Sequence, residues 1–219
     1  MHLSSRLTAI YEMIPYGIAA DVGSDHGKLI ISLYKNGKIS KGYAIENKKG
    51  PFNRLVSAVK SENAESGVCC LLSDGITDLP DDCDTVIIAG MGGFNIVNIL
   101  KAHTDKLGNV KTIVVDAHNA IKDVRGEITA FGFKICEEKI IKDADIYYEI
   151  IKFERGVTNK LNDLDLEYGP LLRKEKSNIF LEKHKARIKE IDNLLLNKDL
   201  PSQRVEGLKQ EKERIKNIL

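Results

Sequence analysis

The stretch that decides the fold reads Ala19-Ala20-Asp21-Val22-Gly23-Ser24-Asp25-His26-Gly27. An apolar run begins at Ile18 and ends at this small, polar, glycine-flanked turn, and a helix-like segment follows over residues 28–35. The pattern predicts a strand, a tight turn and the start of a helix, the unit from which open α/β sheets are built. Because such sheets bind ligands at the carboxyl ends of their strands, the turn is a candidate binding site.

The residues of this turn favour a ligand that carries an ammonium group. The dinucleotide fingerprint G-x-G-x-x-G is incomplete, since the turn has only Gly23 and Gly27, and there is no P-loop Lys-Ser/Thr pair. Asp21 would repel a pyrophosphate but would suit S-adenosylmethionine, which has an ammonium, a carboxylate and a sulfonium group. A purely structural βα turn is the alternative.

Composition indicates a soluble globular protein. The 219 residues suit one medium domain plus an appendage, and the net charge of +1 provides no overall basic field for nucleic acid. The four cysteines lack C-x-x-C spacing, so we expect reduced thiols in or near the core and no metal site. No signal peptide or membrane-spanning run is evident, which predicts a cytoplasmic protein without membrane contact. The oligomeric state is not fixed by the sequence, and a monomer is favoured.

Two further predicted strands end on carboxylates that could bind a nucleoside. Strand two, over 41–45, ends on Glu46, whose two oxygens can accept hydrogen bonds from both hydroxyls of a ribose. Strand three, over 68–72, leads to Asp74-Gly75, where the carboxylate can accept from an adenine amine and the glycine leaves room for the ring. A solvated carboxylate and an ordinary Asp-Gly turn are the alternatives.

The later strands distinguish a methyltransferase sheet from a nicotinamide-binding one. Strand four, over 84–89, ends at Gly90-Met91-Gly92-Gly93, which offers space and backbone donors where methyl donor and substrate would meet. Strand five, over 112–115, ends on Asp116-Ala117-His118-Asn119. Two strands over 134–141 and 147–154 then form a hairpin, whereas a nicotinamide-binding domain would continue with βα units. The pattern predicts a class I, Rossmann-like methyltransferase sheet with an antiparallel terminal strand.

The C-terminal part is predicted to be a helical hairpin. Residues 173–197 and 205–219 carry apolar side chains at helical spacing with a short link between them, which predicts an antiparallel coiled coil. We therefore predict two domains, 1–158 and 159–219. Six basic residues of the hairpin could follow a phosphate backbone: Lys174, Lys176, Lys183, Lys185, Arg187 and Lys189. An ordinary solvated helix face is the alternative.

Several motifs occur in the order found in one known family. They are Leu3-Ser4-Ser5-Arg6-Leu7, Asp21-Val22-Gly23-Ser24-Asp25-His26, Gly50-Pro51-Phe52, Asp74-Gly75, Ala89-Gly90-Met91-Gly92-Gly93 and Tyr148-Glu149. Over nearly its whole length the chain resembles the bacterial tRNA (adenine-22-N1)-methyltransferases, the TrmK family. One clear difference is that Asp116-Ala117-His118 stands where the family pattern has Gln-Pro-Asn.

The resemblance implies S-adenosyl-L-methionine as cofactor, tRNA as partner, and methyl transfer to N1 of an adenine. Together with the strand-end pattern, it predicts the cofactor-binding residues Asp21, Gly23, Ser24, His26, Glu46, Asp74, Gly75, Gly90 and Met91. The predicted substrate-binding residues are Gly92, Gly93, His118, Asn119, Arg6, Lys183 and Arg187. A base inside a folded tRNA must leave its stack before reaction, and the hairpin is expected to hold the tRNA backbone.

Asp25 is the predicted catalytic residue. Adenine N1 is unprotonated at neutral pH and needs no base to become nucleophilic, so we expect catalysis by positioning and electrostatics. The product ring is cationic, and the carboxylate of Asp25 in the turn beside the expected sulfonium could stabilise that charge. The alternative is that Asp25 caps the following helix.

Three other functions are compatible with parts of the sequence. A class I methyltransferase could act on another RNA, a small molecule or a protein. A Rossmann-like domain with a coiled coil could be a non-enzymatic interaction protein, although intact Asp21, Glu46 and Asp74 argue against this. A nicotinamide oxidoreductase is disfavoured by the missing third glycine and by the terminal hairpin.

Overall fold

A computed structural model describes residues 2–157 and 160–219. The chain divides into two compact units, Met1–Lys160 and Leu161–Leu219. The predicted domain boundary between positions 158 and 159 falls on Thr158 and Asn159, which lie outside the described residues.

One seven-stranded sheet organises the first unit, with the order β3-β2-β1-β4-β5-β7-β6. Its strands are β1 (Ile18–Val22), β2 (Lys41–Glu46), β3 (Val68–Leu72), β4 (Thr85–Met91), β5 (Thr112–Ala117), β6 (Phe133–Asp143) and β7 (Ile146–Arg155). Strands β1 to β5 pair in parallel, and β7 pairs antiparallel with both β5 and β6. The predicted Rossmann-like methyltransferase sheet with its antiparallel hairpin is confirmed.

Helices cover both faces of this sheet. They are α1 (Ser5–Met13), α2 (Lys28–Lys35), α3 (Lys49–Ser61), α4 (Gly93–Ala102) and α5 (Ile121–Ala130), with a short 3-10 helix over Thr104–Leu107. Along β4, Val86 and Ile88 pack into the core formed with α4 and α5, whereas Ile87 packs into the core formed with α1, α2 and α3. Burial on both faces explains why the first four residues of β4, Thr85-Val86-Ile87-Ile88, are a continuous β-branched run rather than an alternating pattern.

The order of the strands places a crevice beside β1. The chain moves from β1 outward to β2 and β3, and then crosses back to β4 on the other side of β1. In open parallel sheets a ligand binds where the direction of winding reverses in this way, outside the carboxyl ends of the strands. The two strands on either side of that point end at Val22 and Met91.

Three details of the first unit differ from the sequence predictions. Strands β4 and β5 extend to Met91 and Ala117, past the predicted ends at 89 and 115, with an irregular register between Ala89 and Met91. Cys69 is exposed, so the expectation of a thiol in or near the core is wrong for this residue. β3 is an edge strand of the sheet, and Cys69 and Leu72 are its exposed residues, whereas Cys70 and Leu71 pack against the two cores.

The described part of the second unit consists of four helices rather than two. They are α6 (Asp163–Tyr168), α7 (Pro170–Glu175), α8 (Asn178–Leu195) and α9 (Ser202–Ile218). The predicted helix over 173–197 is broken because Lys176 has a φ of 49° and the Ser177 side chain accepts from the Phe180 N–H, which starts α8. None of the helices in the described ranges combines the length and hydrophobicity of a membrane span.

Helices α8 and α9 pack through a small apolar seam with ion pairs beside it. Phe180 and Ile191 of α8 and Leu208 and Ile215 of α9 are buried. The guanidinium of Arg187 donates two hydrogen bonds to the Glu211 carboxylate, at 2.7 and 3.0 Å. Four of the residues that the sequence predicts as apolar seams are therefore buried within this unit.

Candidate active site

The turn between β1 and α2 is fixed by hydrogen bonds to the neighbouring strand. The backbone N–H groups of Gly23 and Ser24 both donate to the carbonyl oxygen of Ile45 in β2, at 2.9 and 3.1 Å. Gly23 has a φ of 77°, a left-handed conformation that favours glycine. The end of β1 therefore has a defined shape, which a ligand can use as one wall of a binding site.

Asp21 is the buried carboxylate of this turn. Its residue is only 6% exposed, and its Oδ2 accepts a 2.7 Å hydrogen bond from the Ser24 hydroxyl. Burial raises the pKa of Asp21 to about 6, and the Ser24 hydrogen bond offsets this rise only in part. Because the described residues provide no cation for Asp21, the carboxylate is suited to a ligand that brings an ammonium group.

A cleft of about 410 Å³ lies at the carboxyl ends of the strands. Five predicted cofactor residues line it: Gly23, Glu46, Asp74, Gly75 and Met91. A second recess of about 210 Å³ shares Gly23 and Asp25 with the cleft. That recess is lined by four further predicted site residues: Arg6, Asp21, Ser24 and His26. The acidic ends of β1, β2 and β3 thus line two neighbouring cavities, Asp21 the recess and Glu46 and Asp74 the cleft.

Glu46, at the end of β2, has one carboxylate oxygen fixed and one without a partner. Its Oε1 accepts hydrogen bonds from the backbone N–H groups of Asn47 and Lys48, both at 3.1 Å. Its Oε2 accepts none within the described ranges, although the residue is only 9% exposed. The backbone bonds orient the side chain, and Oε2 remains available to a ligand hydroxyl.

Asn47 connects the ends of β2 and β3, a role that the sequence analysis missed. Its Nδ2 donates to Oδ1 of Asp74 at 3.1 Å. At Gly75, φ is 58° and a Cβ would lie 2.9 Å from Cγ2 of Ile99. The glycine therefore lets Ile99 of α4 approach the backbone beside Asp74, and both residues line the same cleft. The only sequence signal for Asn47 is its place next to Glu46.

The end of β4 approaches the β1 turn closely. A Cβ on Gly23 would overlap Cε of Met91, and Sδ of Met91 accepts a 3.3 Å hydrogen bond from Nδ2 of Asn95. At Gly90, φ is 77° and a Cβ would lie 3.1 Å from Nη1 of Arg6. Glycine at 23 therefore allows Met91 to line the cleft, and glycine at 90 allows Arg6 to line the second recess.

Gly93 and Asn119, both predicted to bind substrate, are bonded to each other. The Gly93 N–H donates to Oδ1 of Asn119 at 3.0 Å, and the His118 N–H donates to the Met91 carbonyl at 2.9 Å. Gly93 is buried, and a Cβ there would overlap the Asn119 carbonyl oxygen and crowd Val124. Packing between α4 and α5 thus accounts for glycine at 93. Beside it, Gly92 is partly exposed and His118 is exposed.

Arg6 lies in a cluster formed by α1, β5 and β7. Its Nη1 is 2.9 Å from Oδ2 of Asp116, and its guanidinium carbon is 5.4 Å from the ring centre of Tyr148. The His118 ring meets the Tyr148 ring edge-on at 6.4 Å. Burial raises the pKa of Asp116, while the charges of Arg6 and His118 oppose the rise. Tyr148 was quoted in the sequence motif but was not predicted as part of this site.

Asp25 has a strained backbone and an exposed carboxylate. Its φ is 45°, unusual for a residue other than glycine, and its side chain is 55% exposed. Oδ1 lies 3.4 Å from Nη2 of Arg54, and Oδ2 lies 3.4 Å from Nε2 of His26. Gly27, without a side-chain cap, starts α2. Helix capping is therefore not the role of Asp25.

The two predicted substrate residues of the second unit lie on α8. The Arg187 guanidinium pairs with Glu211 and, at 2.8 Å, with Glu190. Lys183 also lies on α8. Arg187 therefore ties α8 to α9 in this structure. Its neighbours Lys185 and Lys189 line a shallow groove on α8 together with Asn178 and Leu181.

Potential metal ligands are dispersed in this structure. In the ranges 2–157 and 160–219, no three His, Cys, Asp or Glu side chains are grouped so that they could hold a metal ion. The four cysteines are all free thiols.

Sequence comparison shows similarity to tRNA methyltransferases. The profile of the TrmK family, described as tRNA (adenine(22)-N(1))-methyltransferase, matches residues 19–218. A Bacillus subtilis (strain 168) protein named tRNA (adenine(22)-N(1))-methyltransferase is 30% identical over 190 residues. The match covers 84% of this chain and 80% of that protein.

Solved structures share the fold over almost the whole chain. A Streptococcus pneumoniae protein in complex with S-adenosyl-L-methionine has a TM-score of 0.92 and 29% identity, with 100% of both chains covered. The B. subtilis m1A22 tRNA methyltransferase TrmK has a TM-score of 0.88 and 26% identity, covering 99% of this chain and 98% of that one. The similarity therefore includes the C-terminal helices as well as the sheet.

Proposed function

The chain belongs to the TrmK family of tRNA (adenine(22)-N(1))-methyltransferases, and we propose that its strand-end cleft carries out the family's reaction at adenine 22 of tRNA. The enzyme methylates N1 of a tRNA adenine with S-adenosyl-L-methionine as methyl donor. This assignment of the site depends mainly on one observation. Asp21, Glu46 and Asp74 lie at the carboxyl ends of three neighbouring parallel strands.

The residues of the cleft fit S-adenosyl-L-methionine, which when bound supplies an electrophilic methyl group on a sulfonium. Asp21, buried without a cation, suits the ammonium of the methionine part. Glu46 keeps Oε2 for a ribose hydroxyl, and Asp74 lines the same cleft, where its carboxylate could accept from an adenine amine. The glycines at 23 and 75 let Met91 and Ile99, which also line the cleft, approach the backbone closely.

Methyl transfer to adenine N1 requires positioning rather than a base. The in-plane lone pair of N1 is free at neutral pH, so the protein must hold the ring in line with the methyl group and exclude water. Met91 lines the cleft at the end of β4, and the glycines on either side of it leave that end of the strand with few side chains. We propose that this glycine-rich end of β4 lies next to the methyl group during its transfer.

Asp25 is the residue that we assign to charge stabilisation. Its carboxylate lies in the wall shared by the cleft and the second recess, and more than half of its side chain is exposed. Attack by N1 places a positive charge on the adenine ring, which a nearby carboxylate stabilises electrostatically. Arg54 and His26, each 3.4 Å from one oxygen, hold the carboxylate in place without burying it.

We assign tRNA backbone contacts to the second unit, in particular to α8. Lys185 and Lys189 lie one helical turn apart and line the same groove, so their ammonium groups can contact successive phosphates. The Arg187 pair with Glu211 supports the packing of this helix on α9 and leaves the backbone contacts to the lysines.

The direct test is methylation of a tRNA transcript followed by mapping of the modified nucleotide. We expect one 1-methyladenosine at position 22 and none in a transcript with guanosine at that position. Methylation at another adenine would contradict the proposed target while leaving the methyltransferase assignment intact. Absence of any methylation by protein that binds the cofactor in calorimetry would contradict the proposed site.

A further inference from the structure

Phe94 is a large apolar side chain exposed at the start of α4, next to the carboxyl end of β4. It is 63% exposed, and Tyr16, at 74%, is the other exposed aromatic side chain among the large hydrophobic residues of the described ranges. Phe94 lies in the first turn of α4, three residues after Met91 at the end of β4. A single exposed apolar residue is ordinary on a protein surface, so the position of Phe94 rather than its exposure alone requires an explanation.

The backbone that carries Phe94 is held firmly. The Gly93 N–H donates to Oδ1 of Asn119, and the N–H groups of Asn95 and Ile96 donate to the Gly92 carbonyl at 3.0 and 3.1 Å. Gly93 is packed against the Asn119 carbonyl with no room for a Cβ, and Ile96 is fully buried. The phenyl ring therefore projects into solvent from a rigid turn, which lowers the entropy lost when a partner binds to it.

The chemistry of the reaction provides a partner for such a ring. A target adenine that leaves the stack of a folded tRNA loses the stacking on its neighbours, and enzymes that act on extruded bases restore it with aromatic or apolar side chains. Of the aromatic rings at this edge, Tyr148 is partly buried, with the Arg6 guanidinium over its face and His118 at its edge. Phe94 offers the more exposed ring face.

We propose that Phe94 is the surface on which the target adenine stacks while N1 is presented to the methyl group. This inference rests on the proposed function of the cleft. In this role Phe94 is a substrate-positioning residue: it takes no part in proton or methyl transfer, and it makes no contribution to binding of the methyl donor. The rigid turn fixes the ring relative to Met91, so the stacked base is held at a defined place beside the end of β4.

The test compares Phe94→Ala, Phe94→Leu and Phe94→Tyr with Tyr16→Ala as the matched control. Tyr16 is a similarly exposed aromatic residue, but it precedes β1 and so lies at the opposite, amino-terminal edge of the sheet. Loss of one base–aromatic stack predicts a roughly 10- to 100-fold lower kcat/KM for tRNA in Phe94→Ala. Phe94→Leu should be impaired and Phe94→Tyr close to wild type, because only tyrosine keeps the π face. Tyr16→Ala should match wild type.

Cofactor affinity and fluorescence separate stacking from a structural effect. All four variants should bind S-adenosyl-L-methionine in calorimetry as wild type does, which also shows that they are folded. With 2-aminopurine at position 22 of the tRNA, the saturated complex of Phe94→Ala should be brighter than that of wild type, since stacking on the ring quenches the extruded base.

The possible results distinguish a failure of the stacking role of Phe94 from a failure of the proposed function. Wild-type turnover in Phe94→Ala, full activity in Phe94→Leu, or equal fluorescence of the two complexes would each overturn the stacking role of Phe94. An inactive wild-type protein would instead contradict the proposed function itself, whatever the behaviour of the Phe94 variants.

Discussion

Nη1 of Arg6 lies 2.9 Å from Oδ2 of Asp116, a carboxylate that is completely buried. The pair joins the N-terminal helix to the carboxyl end of β5, where the family pattern named above has an uncharged glutamine. A buried carboxylate is costly unless it is paired, and here the cation comes from a motif 110 positions away in the chain. The buried carboxylate at 116 is therefore accommodated by Arg6, which also lines the second recess.

Removing the cation of this pair should destabilise the protein. In Arg6→Met the buried Asp116 loses its partner, and we expect the free energy of unfolding to fall by about 1–3 kcal/mol, less than for a fully buried pair because the Arg6 side chain is 25% exposed. The pKa of Asp116 rises further in this variant, so its folded form binds a proton that the unfolded form has released. The loss should therefore grow as pH rises from 5 to 8. Urea unfolding at several pH values measures it.

The double variant Arg6→Met/Asp116→Asn is the control for this prediction. It removes the buried charge along with its partner, so most of the lost stability should return and the pH dependence should disappear. Equal stability of the single and double variants at pH 8 would contradict the proposed pairing.

Because the pKa of Asp21 is raised, we expect affinity for S-adenosyl-L-methionine to depend on pH. In the protein without cofactor the pKa of Asp21 is raised to about 6, so the carboxylate is mostly protonated below that pH. The cofactor ammonium favours the ionised form. Affinity should therefore be constant at pH 7–8 and should weaken by up to about tenfold per pH unit below about 6. Calorimetry between pH 5 and 8 tests this, and Asp21→Asn should bind weakly with no pH dependence in that range.

The same carboxylate should limit the stability of the cofactor-free protein. A folded-state pKa above the ordinary value of 3.8 means that the folded form holds its proton more tightly, so stability is lost as pH rises through about 6. Asp21→Asn should consequently be more stable than wild type by about 1–3 kcal/mol at pH 8, with a smaller difference at pH 5. A less stable variant at pH 8 would indicate that Asp21 has a cationic partner without the cofactor.

Gly23 should be essential for cofactor binding. In Gly23→Ala the new Cβ would overlap Cε of Met91, and the left-handed φ of 77° would be strained. We expect affinity for S-adenosyl-L-methionine to fall at least about tenfold, because the wall of the cleft must move. Gly37→Ala is the matched control, since Gly37 has a φ of 66° but nothing within 4 Å of the added Cβ. It should lose some stability and no cofactor affinity.

Asp25 should affect turnover and not cofactor binding. The carboxylate is exposed and makes only two long ion-pair contacts, so Asp25→Asn should fold normally and bind the cofactor as wild type does. Loss of one electrostatic interaction with the developing ring charge predicts a roughly 10- to 100-fold lower kcat. Single-turnover methylation with saturating tRNA measures this. Unchanged turnover would remove Asp25 from the chemistry.

The lysines of α8 should control tRNA affinity and its salt dependence. In Lys185→Ala/Lys189→Ala we expect weaker tRNA binding and a shallower plot of log affinity against log salt, with the slope reduced by roughly one to two. Lys60→Ala/Lys111→Ala, which removes two exposed lysines of the first unit, should leave that slope unchanged. Equal effects of the two pairs would mean that general charge, and not α8, attracts the tRNA.

The fold and much of the cleft could be predicted because their signals are local. An apolar run that ends at Asp21 and Gly23 specifies a strand and a tight turn whatever lies elsewhere in the chain. The hairpin of β6 and β7 was equally clear, because two strands in succession exclude a further βα unit. The run Gly90-Met91-Gly92-Gly93, followed by a helical pattern, likewise predicted where β4 ends.

Prediction was weaker where a residue's role depends on a distant partner. Gly93 resembles the other glycines of its motif, yet its size serves the packing of α4 on Asn119. Helical spacing could not show that Lys176 and Ser177 break the predicted helix, because one left-handed residue and one side-chain cap decide it. From the sequence alone, Arg187 is available to contact a phosphate, whereas in the structure it forms an ion pair with Glu211 of α9.

What the sequence determined by itself was the order of strands, turns and helices, and with it the set of acidic strand ends to which we assign binding of the methyl donor. Only the tertiary structure decided how those groups are paired: which oxygen of Glu46 remains open, that Arg6 neutralises Asp116, and that the ring of Phe94 remains exposed. Periodicity and turn chemistry act over a few residues, whereas the pairing of charges and the burial of side chains depend on which elements the sheet brings together.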